Sequence, residues 1–227
     1  MRINILQHAA DEGPGAIATW AQIHQGVTYV YHPAVYDILP RAEQTDLLVL
    51  MGGSVSPSDK LGWIAEERAL IKQMIASGKP ILGICFGAEQ IVETLAGHVD
   101  KMPDKRIGWT EFKRANDLIP GLPEKVTALS WHQKMFSKPV GAKTLFAGEK
   151  VPTAGFLYQD NVVGLQFHLE VNENNLRDMV VNNGGKADVD NELGQTSQQI
   201  LHHGVPRGNA RVLFNILNYI TGQESLL

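Results

Sequence analysis

The sequence has 227 residues, 44% of them hydrophobic, with 20 basic and 24 acidic side chains and a formal net charge of −4. That is enough apolar material for one well-buried core, and it sits at the upper end for one domain over 1–227. The absence of a lysine- or arginine-rich stripe argues against a nucleic-acid role, and the apolar runs are far too short to span a bilayer. The single cysteine, Cys85, excludes an intramolecular disulfide, and a reducing compartment, the cytoplasm, is the simplest reading.

In chain order, Arg2 to Gln7 alternates polar and apolar and reads as a first strand rather than a signal peptide. Gly13-Pro14-Gly15 is a turn, and Pro14 is placed to open a helix to about Gln25. Val27 to Tyr31, β-branched and aromatic, predicts a second strand. Asp46 to Met51 is a continuous apolar run stopped by Gly52-Gly53, as in a parallel strand covered on both faces. Trp63 to Ala76 has helical spacing, with Gly78 as its C-cap and Pro80 preventing its resumption. Ile81 to Ile84 is another buried strand, followed by a helix to about Leu95. Val126 to Leu129, Lys143 to Ala147 and Ala154 to Tyr158 predict short antiparallel strands, and Val162 to Phe167 a stronger one. A helix over 172–181, a polar loop over 182–194 and a helix over 209–220 ended by Gly222 complete the chain, so that 171–227 forms a helical extension of the same domain. Strands alternating with helices predict a doubly wound α/β sheet.

Two segments carry chemistry. In Ile81-Leu-Gly-Ile-Cys-Phe-Gly87 a buried strand runs into a helix with Cys85 at the corner and Gly83 and Gly87 two residues to either side. This is a nucleophile elbow, whose tight turn needs small flanking residues. The following helix N-terminus favours the thiolate. In Gly164-Leu-Gln-Phe-His-Leu-Glu170, His168 and Glu170 are two apart in an extended segment and share a side. The glutamate can hold the imidazole tautomer while the other ring nitrogen serves the sulfur. Seven other histidines compete for the base role, His132 most strongly. Gly52-Gly53, read alone, is an ordinary loop.

Together these segments resemble the class I, triad-type glutamine amidotransferases, and most closely the stand-alone members called GMP-synthase-like. The resemblance rests on Glu12-Gly-Pro-Gly15, Met51-Gly-Gly53, Gly83-Ile-Cys-Phe-Gly87, Ile107-Gly-Trp109, Trp131-His132 and Gly164-Leu-Gln-Phe-His-Leu-Glu170, covering Leu6 to about Val171. It implies a mostly parallel, flavodoxin-like three-layer fold. It also implies a Cys85 nucleophile that attacks the side-chain amide of glutamine, forms a glutamyl thioester and releases ammonia. His168 would move the protons and Glu170 would orient it. Backbone N–H groups of Gly52 or Gly53 and of Phe86 would form the oxyanion hole, and Trp131, His132 and Gln133 a substrate loop. Because the family passes its ammonia to a second domain or subunit, the resemblance also implies a synthetase partner chain.

The sequence departs from the family pattern four residues after the cysteine. Relatives carry glutamine there, contacting the glutamyl part of the substrate; here it is Glu89. An ionised glutamate only accepts hydrogen bonds, and a carboxylate there opposes thiolate formation. Glu89 is therefore protonated or paired with a cation, or it serves a different substrate, or it turns away. Gln90 cannot substitute, since one helical step rotates the side chain by about 100°. Arg106 and Ser130 are smaller departures, and Trp109 reads as a packing residue. Three functions follow: an ammonia-supplying glutaminase, a free-standing hydrolase of γ-glutamyl amides or peptides, and a regulatory protein without activity. A cysteine-elbow family of the DJ-1 type ranks low, because it lacks the Gln-Phe-His-x-Glu strand end. No metal or organic cofactor is indicated: the histidines are scattered, and the adjacent His202 and His203 cannot share one helix face. The oligomeric state is left open.

Overall fold

The computed structural model describes residues 1–183 and 185–224. Gly184, within the expected loop, and 225–227 lie outside the described residues. The elements in order are β1 (Arg2–Leu6), α1 (Ala16–Ile23), β2 (Val27–Tyr31), α2 (Pro33–Tyr36), β3 (Leu47–Leu50), α3 (Gly62–Ala76), β4 (Ile81–Ile84), α4 (Phe86–Thr94), β5 (Val99–Arg114), β6 (Lys125–Phe136), β7 (Lys143–Ala147), β8 (Gly155–Tyr158), β9 (Val162–Leu165), α5 (Glu173–Asn182), α6 (Ser197–His203) and α7 (Asn209–Thr221). One sheet runs β2-β1-β3-β4-β9-β8-β7-β5-β6. Its first five strands pair in parallel. From β9 outward every pairing is antiparallel.

The parallel strands are apolar on both sides because both sides are covered. Along β1 and β3, Ile3, Ile5, Leu47 and Val49 face a core shared with Ile17 and Trp20 of α1 and Leu213 and Leu217 of α7. Their alternates Leu6, Leu48 and Leu50 face a second core with Leu70, Ile71 and Met74 of α3 and Ile91 of α4. The period of two divides one apolar run between two helical layers. The α1–α7 layer is pinned by the Trp20 indole, which donates to Asn218 Oδ1 at 2.7 Å.

The antiparallel half departs from the expected pattern. The long strand β5 has no counterpart among the expected strands. Its first half, Val99 to Arg106, is mostly charged, contains Pro103 and loses register with β6 between Lys101 and Arg106, so no clean alternation marks it. β6 was expected over 126–129 and continues to Phe136, which puts Trp131, His132 and Gln133 on a strand rather than in a loop. Within 182–194 a short 3-10 turn forms at Lys186–Asp188, and α6 follows unforeseen. Leu176, Met179 and Ile200, from α5 and α6, pack on Ile107, Trp109 and Leu129 of the β5–β6 hairpin.

Candidate active site

Cys85 sits at the carboxyl end of β4, at φ 49° and ψ −110°, a backbone region that non-glycine residues rarely enter. The elbow holds it there through the Cys85 N–H, which donates to Leu165 O on β9 at 2.7 Å, and the Gly87 N–H, which donates to Met51 O after β3 at 3.1 Å. The flanking glycines are required by distance. A Cβ on Gly83 would lie 2.7 Å from the Gly87 carbonyl, and one on Gly87 would lie 2.2 Å from the Leu50 carbonyl oxygen. The thiol is nearly buried, 6% exposed.

Past the end of β9, His168 and Glu170 meet as expected: the imidazole Nδ1–H donates to Glu170 Oε1 at 2.7 Å, both residues buried. The His168 backbone N–H donates to Leu129 O at 2.9 Å, which ties this end to β6. The other ring nitrogen, Nε2, has no hydrogen-bond partner; the Cys85 thiol, which lies 4.0 Å from Trp131 O, is close enough to His168 to raise the imidazole. Burial disfavours the imidazolium, but the Glu170 charge, with the thiol, outweighs it and holds His168 well above the usual histidine range. Burial pushes the Cys85 thiol up while His168 pulls it down. The competitor His132 is different. Its Nδ1–H is spent on Lys134 O at 2.7 Å, no carboxylate orients it, and burial lowers it to about 4, so it is neutral.

The turn after β3 lies across from the elbow. Gly52 and Phe86 are buried and Gly53 is half-buried. His8, just past β1, braces both sides. Its Nδ1 donates to Met51 O at 3.0 Å, its Nε2 meets Glu67 Oε2 at 2.7 Å, and its ring packs edge-on against Phe86. Both ring nitrogens face acceptors, and His8 is raised above the usual histidine range: burial opposes this, and the Glu67 carboxylate outweighs it. Glu67 also accepts from Gln90 at 3.2 Å, while Arg68 donates to Gln90 at 3.0 Å. Gln90 is thus a buried structural amide facing α3, turned away from the substrate side as the helical step requires.

A cavity of about 280 Å³ opens over Cys85, its lining including Glu12, Gly53, Ser54, Glu89, Ile107, Trp131, His132, Gln133 and Lys134. Such a space fits a ligand of amino-acid size. All four residues expected to bind substrate line it, including Glu89, which does not turn away. Glu89 accepts from Lys134 Nζ at 3.2 Å and from Gln166 Nε2 at 3.2 Å, and Lys134 also donates to Val55 O at 2.7 Å. Burial pushes the Glu89 carboxyl up, and Lys134 and Gln166 pull against it. Trp109 is packing, as read: its indole donates to Ile200 O at 3.0 Å. Arg106 is buried in an ion pair with Glu192 at 2.9 Å.

Sequence reasoning missed Lys134, Gln166 and Glu12 as site residues. Lys134 lies five residues past the expected end of its strand, and only knowledge of the pairing brings it to Glu89. Glu12 stood in plain view beside Gly13-Pro14-Gly15, but the turn hid its role. Gly15, at φ 48°, lets the Ala16 N–H reach Glu170 O at 2.7 Å, and a Cβ there would overlap that oxygen at 2.0 Å. The same contact carries Glu12 into the site. Among the described residues, no cluster of His, Cys, Asp and Glu could hold a metal, and no helix is long and apolar enough to cross a membrane.

Residues 17–186 match the family model of class-I glutamine amidotransferases. The chain is 30% identical over 183 residues to the glutamine amidotransferase-like protein YfeJ of Salmonella typhimurium, covering 75% of this chain and 76% of that one. It is 33% identical over 139 residues to the glutamine-hydrolysing GMP synthase of Thermosipho africanus, covering 60% of this chain but 26% of the synthase. Among solved structures, a glutamine amidotransferase from Methylobacillus flagellatus superposes with a TM-score of 0.90 at 24% identity, over 98% of this chain and 95% of that one. One from Thermotoga maritima gives 0.86 at 23%, over 97% and 98%. These two likenesses concern the fold.

Proposed function

Because the chain belongs to the class-I glutamine amidotransferase family, we propose that it cleaves the side-chain amide of glutamine, or of a γ-glutamyl compound, through a thioester on Cys85. The observation that carries this reading is the 2.7 Å contact of His168 with Glu170 beside an elbow cysteine that opens into a cavity. In the first step the thiol proton passes to His168 Nε2 and the sulfur attacks the amide carbon. The oxygen of the tetrahedral adduct is held by backbone N–H groups of Phe86 and of Gly52 or Gly53, where one such donor is worth about 3 kcal/mol. Collapse breaks the carbon–nitrogen bond, and the imidazolium proton leaves with the nitrogen as ammonia. Water, losing a proton to the same imidazole, then opens the thioester, giving glutamate and the free thiol. Glu170 keeps the ring in one tautomer throughout.

Glu89, Trp131, His132 and Gln133 form the substrate wall in this reading, with Lys134 supplying the donor that a glutamate lacks. The ammonia is taken up by a synthetase partner chain, as the resemblance to a quarter of the GMP synthases suggests. One observation favours a free-standing γ-glutamyl hydrolase instead. The paired charges of Glu89 and Lys134 beside the thiol suit a substrate with charged groups beyond the glutamyl part.

The test is ammonia release from L-glutamine and a panel of γ-glutamyl amides and peptides, with mass spectrometry for an acyl adduct on Cys85. Cys85→Ala is expected to remove turnover by about three orders of magnitude or more. Residual activity above a few per cent defeats the mechanism. Turnover of γ-glutamyl peptides without glutamine turnover selects the hydrolase.

A further inference from the structure

The proposed reaction uses the buried Glu170 and leaves another carboxyl group, which lines the cavity, without a task. Glu12 lines the cavity with Cys85. Its Oε2 is buried and has no hydrogen-bond partner. A Cβ built on Gly52 would lie 1.8 Å from that oxygen and 3.1 Å from His168 Cε1. The carboxyl and the Cε1 edge of the imidazole are therefore neighbours, in the space that the missing side chain of Gly52 leaves free. Gly52 is required here for a reason separate from any oxyanion hole.

We propose that Glu12 is a positioning residue for His168, a second carboxylate on the ring that stabilises the imidazolium formed when Cys85 gives up its proton. The step moves one proton from sulfur to His168 Nε2 and leaves Glu12 ionised. Glu170 serves the Nδ1 edge and Glu12 the Cε1 edge. A buried imidazolium next to a thiol is costly in a poorly solvated site, and a facing carboxylate offsets part of that cost. The groups that face Glu12 are Asp11 on its own loop, His168 and Glu170 past β9, and His8 past β1, while Cys85 and Glu89 share the cavity. Burial raises Glu12 to about 7, with His168 and His8 pulling it down and Asp11 and Glu170 pushing it up. Ionised Glu12 raises His168. Below about pH 7 Glu12 takes up a proton and that support fades.

The proposal rests on His168 acting as the base, but its test needs no substrate and so fails or succeeds apart from the ammonia assay. The protein is labelled with ¹³C at histidine Cε1 and the His168 signal, identified by its loss in His168→Gln, is followed from pH 4 to 10. In the wild type its titration curve should carry a second inflection near pH 7. In the near-isosteric Glu12→Gln that inflection should vanish, and the imidazolium should titrate roughly one pH unit or more lower. A merely structural role would leave the midpoint in place, and an unmoved midpoint overturns the proposal. If Glu12→Gln does not fold, the wild-type curve decides alone, since the absence of the inflection near pH 7 rejects it.

Discussion

The parallel half of the sheet, β2-β1-β3-β4-β9, delivers Cys85, His168, Glu170 and the Gly52-Gly53 turn from three neighbouring strand ends. The antiparallel half, β8-β7-β5-β6, reaches the thiol with a backbone group, Trp131 O at 4.0 Å from Cys85 Sγ, and its hairpin carries Ile107 and the stretch from Trp131 to Lys134 that wall the cavity. The first half places the groups of the proposed reaction at the carboxyl ends of adjacent strands, as open α/β sheets place their sites. The second sets what can lie beside them. The two halves should therefore fail differently. Damage to the parallel half should strike turnover and stability together. Damage to the antiparallel half should strike substrate recognition or, at its surface, very little.

Beyond loss of the thiol itself, the largest expected effect is Gly87→Ala. The new methyl would lie 2.2 Å from the Leu50 carbonyl oxygen and 2.6 Å from its carbon, both on the backbone of β3, where no flexible side chain can yield. The elbow and β3 must separate, which breaks the 3.1 Å bond from the Gly87 N–H to Met51 O. Overpacking of this kind costs about 3 kcal/mol, and the displaced thiol should lose about a hundredfold or more in turnover. Urea unfolding and the rate of Cys85 alkylation would measure the two losses. A variant that keeps wild-type stability and rate would show that the elbow is looser than its glycine spacing implies.

That glycine spacing is also why the parallel half was legible in the sequence. Gly83, Cys85 and Gly87 encode a local turn, and the doubly covered strands 46–51 and 81–84 announce themselves as unbroken apolar runs. His168 and Glu170 were readable because an extended segment puts alternate residues on one side. The antiparallel half hid itself for physical reasons. β5 begins with charged residues around Pro103, one face of the hairpin is wet, and its register slips before Arg106. Lys134 could not be matched to Glu89, because the two stand 45 positions apart on β6 and α4 and meet only in the tertiary fold, with no local signal. Glu12 was hidden in another way, since its turn is local but its neighbour His168 is 156 positions away.

Lys134→Met should give a middle-sized effect confined to recognition. Lys134 is one-quarter exposed and its partner buried, so the pair is only partly screened. Losing the cation removes the pull that opposes burial at Glu89, and the Glu89 carboxyl rises further. For the substrate identified in the ammonia assay, KM should rise about three- to tenfold with kcat within about twofold. A collapse of kcat would mean that the antiparallel wall takes part in the chemistry.

The smallest effect should come from Lys125→Met on the outer face of the same hairpin. Lys125 Nζ meets Glu111 Oε1 at 3.0 Å, with both side chains about half exposed. In the β5–β6 register Glu111 faces Thr127 and Lys125 faces Lys113, so the contact is diagonal across the ladder. A wet, diagonal pair of this kind contributes about 0.5 kcal/mol or less. The hairpin is held instead by Phe112, Val126 and Ala128, which share a buried cluster with Phe146 and Phe167. Urea unfolding should therefore place Lys125→Met within about 0.5 kcal/mol of the wild type, with turnover unchanged. A loss several times larger would show that charge, rather than the apolar face against Phe167, seats the antiparallel wall, and would remove the distinction between a core that carries the chemistry and a hairpin that merely leans on it.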